Sequence, residues 1–173
     1  MHHTAIAYEE QGEKFEFTVE NMVKAKEFIA KYPEGRQQSA VMPLLYLAQR
    51  QHNNWIPRAA MDYIADMLEM PAIKVYEVAT FYSMYNKKPV GKNVIQICRT
   101  TPCWLRGADD IISTCRDKLG ISVGETTPDD KFTLVEVECV GACVNAPVAH
   151  INDTCHENLT AESMLNIIQK LSQ

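Results

Sequence analysis

Four of the six cysteines in this 173-residue chain fall into two short pairs, Cys98-Arg-Thr-Thr-Pro-Cys103 and Cys139-Val-Gly-Ala-Cys143, with 35 residues between Cys103 and Cys139. A thiolate is a soft, anionic ligand. Four of them, delivered as two close pairs, suit a [2Fe-2S] cluster, in which each of two irons takes two protein sulfurs. The spacing differs from the C-x4-C-x2-C run of plant-type ferredoxins and from the C-x2-C runs of bacterial two-cluster ferredoxins. Zinc is the rival reading. Its structural sites take ligand pairs two to four residues apart, mostly C-x2-C, so the present spacing is possible for zinc but off its mode. A thioredoxin-type redox disulfide needs C-x-x-C, which the chain lacks. Spacing alone favours the cluster and leaves zinc and plain structural thiols open.

The elements around these cysteines must bring distant residues together. Residues 94–97 form a short apolar run that ends at Cys98 and reads as a buried strand. Thr101 as cap and Pro102 at the first helical position predict a helix running through Cys103 to about Leu119, closed by Gly120. Residues 132–138 alternate apolar and polar up to Cys139, residues 148–151 and 154–157 read as two further strands about an Asn152-Asp153 turn, and Thr160 caps a last helix. The order β-α-β-loop-β-β-α is thioredoxin-like. A strand, a crossover helix and a second strand in one sheet normally leave the two strands parallel, so Cys98 and Cys139 should emerge on the same edge. The 35-residue gap is then the length of a crossover plus a loop. Gly141 lets backbone approach the site closely and point N–H groups at it.

The first half reads as helices. Thr18 caps a segment to about Lys31, with Met22, Ala25, Ile29 and Tyr32 on one face; Ser39 opens a segment to about Gln51; Pro57 and Pro71 each begin another. Four short amphipathic segments predict an antiparallel bundle. The expected organisation is α+β: a tail over 1–17, a helical bundle over 18–86, a linker over 87–91, and a thioredoxin-like [2Fe-2S] ferredoxin domain over 92–173.

Composition limits the function classes. The chain is 46% hydrophobic and 23% charged, as in soluble globular proteins, and its apolar runs are far below membrane-spanning length. A net charge of −5 argues against a nucleic-acid partner. The start of the chain shows neither a secretory nor a transit pattern, which predicts a reducing cytosol, where cysteine pairs suggest metal rather than disulfides. There is no G-x-G-x-x-G after a strand and no Walker A motif, so any nucleotide should bind elsewhere. Cys115, four residues after Ile111, reads as a buried thiol. Cys155 beside His156 is two lone ligands and no site, and His2, His3, His52 and His150 lack partners at ligand spacing.

Four longer motifs add a resemblance. Tyr-Pro-Glu-Gly-Arg (32–36), Val-Tyr-Glu-Val-Ala-Thr-Phe-Tyr-Ser-Met-Tyr (75–85), Cys-Arg-Thr-Thr-Pro-Cys-Trp-Leu-Arg-Gly (98–107) and Glu-Cys-Val-Gly-Ala-Cys-Val-Asn-Ala-Pro (138–147) resemble the family of 24 kDa iron-sulfur subunits of respiratory complex I, the NADH:quinone oxidoreductase. The resemblance spans about residues 18–171. It implies one [2Fe-2S] cluster held by Cys98, Cys103, Cys139 and Cys143. It also implies a flavin-bearing 51 kDa-type NADH-binding partner carrying FMN and NADH, and a place in the peripheral arm on the cytoplasmic face of the inner membrane, or the matrix face in an organelle. The isolated chain is not expected to oxidise NADH. Similar subunits in NAD-linked hydrogenases and formate dehydrogenases are the alternative, and a zinc-binding structural module is the alternative from another class.

A cluster with four thiolates, two ferric ions and two sulfides carries a formal charge of −2, and an added electron makes it −3, so its surroundings should supply N–H donors and positive potential. Cys103 at a helix N-terminus would gain both. Thr100 and Thr101 can offer hydroxyls to sulfur, and Arg99 and Arg106 either add charge or remain solvated surface groups.

Overall fold

The computed structural model describes residues 14–173, so His2, His3 and most of the expected tail lie outside the described residues. The chain divides into two compact units, one ending at Pro89 and the other Val90–Gln173.

The first unit holds α1 (Val19–Ala30), α2 (Val41–Gln51), α3 (Arg58–Met67) and α4 (Ala72–Phe81) around one core. Thr18 caps α1 as expected, its hydroxyl accepting from the Asn21 amide at 3.2 Å. Ser39 does not open α2. It lies in a 3-10 turn, Gln37–Ala40, that feeds the helix. Pro57 and Pro71 are N-caps with extended backbone rather than first helical residues. Leu44, Leu45, Ile56, Met61, Ile64 and Tyr85 are fully buried, each contributing roughly 1.5–3 kcal/mol of apolar burial.

The second unit is a four-stranded sheet, order β2-β1-β3-β4, from β1 (Asn93–Cys98), β2 (Phe132–Val137), β3 (Ala149–Ile151) and β4 (Thr154–His156). β1 runs parallel to β2, in register from Asn93 opposite Phe132 to Cys98 opposite Val137, and antiparallel to β3. The expected crossover helix is two helices, α5 (Thr101–Leu105) and α6 (Ala108–Leu119). Gly107 separates them at φ +94°, a left-handed value that no continuous helix accommodates. α6 ends on Gly120 at φ +67°, and its terminal acids Asp109 and Asp110 and bases Arg116 and Lys118 match the helix dipole. The last helix, α7 (Ala161–Leu171), begins with a reciprocal capping box between Thr160 and Ser163. α6 and α7 share a core with Ile95, Ile97 and Leu134, and Cys115 packs fully buried within it.

Gly91, near the start of the second unit, is under a tight steric constraint. A Cβ there would lie 2.7 Å from the Phe132 carbonyl carbon, and the Gly91 amide donates to Thr133 Oγ1 at 2.6 Å. Gly91→Ala therefore forces backbone apart at the start of the β1–β2 ladder. A loss of about 1–3 kcal/mol is expected in urea unfolding. Unchanged stability would mean the two segments separate at no cost.

Candidate metal centre

Cys98 is the last residue of β1, 1% exposed, and its amide donates to the Val148 carbonyl at 3.1 Å. From there the chain turns through Thr100 into α5, whose third residue, Cys103, is equally buried. The cap is Thr100 and not Thr101, which is the first helical residue. With five residues, α5 supplies little dipole, so the expected helix-end stabilisation of Cys103 shrinks to local amides. β2 stops at Val137, directly opposite Cys98, and the Arg99 amide donates to the Val137 carbonyl at 3.1 Å. The second cysteine loop thus leaves the sheet beside the first.

In that loop Cys139 and Cys143 approach to 3.4 Å between sulfurs, and the Gly141 amide points at Cys139 Sγ from 3.4 Å. Gly141 sits at φ +90°, and a Cβ on it would meet no protein atom within 4 Å. Its backbone conformation, rather than a close approach of protein atoms, is what calls for glycine. Beneath the loops Cys98, Cys103, Ala108, Ala146 and Val148 form a small apolar core joined by Val140 and Ala142. All six cysteines are free thiols.

The thiols act on one another across the two loops. Burial acts to raise Cys98, but hydrogen bonds from the Thr100 hydroxyl and amide, the Cys103 thiol and the Val140 amide outweigh it and hold Cys98 below an ordinary thiol. Cys139 is also held low, chiefly by the Gly141 amide and then by the Cys143 thiol. Burial pushes Cys103 up to about 11, its bond to Cys98 adds to this, and the Val148 amide opposes it. Cys143 is raised by its bond to Cys139, by burial, and by the charge of Cys139 and Cys98. Each loop therefore offers one thiol poised to ionise and one that donates to it.

The structure brings the four predicted thiols together and leaves the other two apart. Cys115 lies in the α6 core, where burial raises it to about 12. Cys155 is exposed on the edge strand β4, opposite His150, and its thiol is raised by burial and by Glu157. Among the described residues, no three His, Cys, Asp or Glu side chains are grouped to hold a single ion. A [2Fe-2S] cluster asks for two sulfur pairs, two sulfurs to each iron, and Cys98 with Cys103 and Cys139 with Cys143 supply them. Soft donors, an apolar floor and amides aimed at sulfur fit the group.

Sequence reasoning missed the Val140 and Val148 amides, because every residue has an amide and only the fold aims it. It also left the arginines undecided. Arg99 is engaged by Glu136 at 3.0 Å and Asp109 at 3.4 Å, so much of its charge is spent on carboxylates, and Arg106 is exposed.

Residues 25–172 match the family described as thioredoxin-like [2Fe-2S] ferredoxin. The chain is 59% identical over 157 residues to an NADH-quinone oxidoreductase subunit from Rickettsia bellii, covering 91% of this chain and 94% of that protein. It is 54% identical over 157 residues to the mitochondrial NADH dehydrogenase [ubiquinone] flavoprotein 2 of Dictyostelium discoideum, covering 91% of this chain and 64% of that one. Among solved structures, an NAD+-reducing [NiFe]-hydrogenase in the air-oxidised state shares the fold, with a TM-score of 0.63 at 20% identity, over 74% of this chain and 22% of that chain.

The unequal thiols make a prediction for the metal-free chain treated with iodoacetamide. Cys139, exposed and lowered, should alkylate at a lower pH than Cys155, exposed and raised, while Cys115 should react only on unfolding. Peptide mass spectrometry across pH 6–10 reads the order. Cys155 reacting first would contradict the electrostatics described.

Proposed function

The chain belongs to the thioredoxin-like [2Fe-2S] ferredoxin family, and from that premise we propose that Cys98, Cys103, Cys139 and Cys143 hold its one [2Fe-2S] cluster. The observation that carries this is the convergence of two thiol pairs, 35 residues apart in sequence, at one sheet edge. When bound, the cluster supplies a site that takes and gives one electron. The protein's own groups hold the thiolates in pairs, aim the Gly141, Val140 and Val148 amides at sulfur, and close the inner side with apolar residues.

The chain serves as an electron-transfer subunit of an NADH:quinone oxidoreductase, a reading supported by relatives of that name at up to 59% identity. The hydrogenase-type reading rests on fold likeness at 20% identity. The partner is a flavin-bearing, NADH-binding subunit with which single electrons are exchanged, since a hydride brings two electrons and the cluster handles one. Support comes from the surface beside the ligands. Trp104 and Leu105, which follow Cys103, are 54% and 70% exposed, and Val144, which follows Cys143, is 98% exposed. Apolar side chains so placed suit a dry protein contact at the cluster's outer side. No described helix is long and apolar enough to cross a membrane, so attachment to the inner membrane would come through the complex. The unit ending at Pro89 contributes none of the four cysteines and serves assembly.

Purified without oxidation, the chain should be brown and give a rhombic EPR signal on dithionite reduction, both in full length and after removal of residues 1–90, with no NADH turnover by itself. A colourless protein with stoichiometric zinc would overturn the cluster reading. For the partner, Val144→Asp combined with Leu105→Glu should weaken association with the flavin-bearing subunit at least tenfold, read by co-purification and calorimetry, while the EPR signal persists. Undiminished association would remove this surface from the interface.

A further inference from the structure

Thr100 occupies the N-cap of α5 with extended backbone, φ −74° and ψ 166°. At that position a threonine hydroxyl ordinarily accepts from an amide of the first turn. Here it makes no such bond. Its Oγ1 lies instead 3.3 Å from Cys98 Sγ, on a half-buried side chain. While Cys98 carries a proton, either atom can donate. A metal-bound thiolate has no proton to give, so the hydroxyl must then be the donor.

A donor aimed at ligand sulfur stabilises the cluster more as its negative charge grows, and reduction adds one unit of charge. The neighbouring cation does not take that role. Arg99 is turned to Glu136 and Asp109, and the Gly141, Val140 and Val148 amides are fixed by the backbone. Among these donors, the Thr100 hydroxyl is on a side chain that substitution can remove without altering the ligand set.

We propose that Thr100 is a positioning residue of the iron-sulfur site, its hydroxyl donating to the Cys98 sulfur, and that it raises the cluster's reduction potential. The proposal rests on the cluster reading above and deepens it. It is tested on the full chain carrying its cluster, by EPR-monitored redox titration of wild type, Thr100→Val and Thr100→Ser. The wild-type signal comes first: its absence sinks the cluster reading and with it this role. With the signal present, Thr100→Val should lower the equilibrium constant for one-electron reduction up to about tenfold, a shift of about 59 mV, and Thr100→Ser should restore the wild-type midpoint. A Thr100→Val midpoint equal to wild type, or a Thr100→Ser midpoint as low as that of Thr100→Val, would overturn the proposal. If Thr100→Val does not retain the cluster, Thr100→Ala is titrated against Thr100→Ser by the same criteria. Loss of the cluster from Thr100→Ala as well would show that the hydroxyl is needed for holding the loop and would likewise overturn a tuning role.

Discussion

The parallel ladder from Asn93 opposite Phe132 to Cys98 opposite Val137 holds the two halves of the site in one place. Without it, Cys98 and Cys139 belong to loops 40 residues apart along the chain, and bringing four mutually repelling thiolates together would carry the full entropic cost of closing that loop. With it, the cost is met by the sheet and by the α6 and α7 core beneath Ile95, Ile97 and Leu134. The ladder is in turn sensitive to its beginning. Gly91 admits the Phe132 backbone where any Cβ would collide, and Gly91 and Thr133 share a 2.6 Å hydrogen bond. The sheet edge carrying the thiols is therefore set by contacts at the opposite end of the same two strands.

Once the loops are adjacent, the balance at the sulfurs is between burial and hydrogen bonding. Burial disfavours thiolates at both Cys98 and Cys103 and prevails at Cys103, whereas hydrogen bonds prevail at Cys98 and Cys139. The result is one lowered and one raised thiol per loop. Metal ligation requires all four thiols to lose their protons, so loading releases protons and strengthens as pH rises. The nearby cation does little to relieve the negative charge, since Arg99 is held by Glu136 and Asp109. Neutral donors carry most of that work, and they keep their strength in salt better than exposed charges do.

The architecture was legible because its signals are periodic or fixed in chemistry. Cysteine spacing picked out the two thiol pairs that stand on neighbouring loops, alternation over 132–138 ended within one residue of the true strand, and Thr18 and Thr160 cap the helices they were expected to cap. Where reading failed, two placements one residue apart looked alike. Pro57 and Pro71 serve as caps instead of first helical residues, and Thr100 caps α5 where Thr101 was expected. The break at Gly107 was hidden because the apolar pattern resumes at once with Ala108, Ile111 and Ile112, so a helix of ordinary length absorbed the glycine. The amides of Val140 and Val148 left no trace in residue type.

The outer side of the site follows from the same limits. Beside Cys103 the small core is filled by Cys98, Ala108, Ala146 and Val148. Trp104, Leu105 and Val144 are left on the surface, with the Trp104 indole pinned by a 3.0 Å bond to Asp109. Exposed apolar groups grouped on one surface weaken solubility. Their place beside two of the thiols suits a surface that is covered in an assembly. Covering it would exclude water from the exposed Cys139 side, lower the local dielectric, and make each sulfur-directed hydrogen bond count for more than it does in the free chain. Docking and electron affinity are coupled in such an arrangement, through the desolvation of the same few side chains.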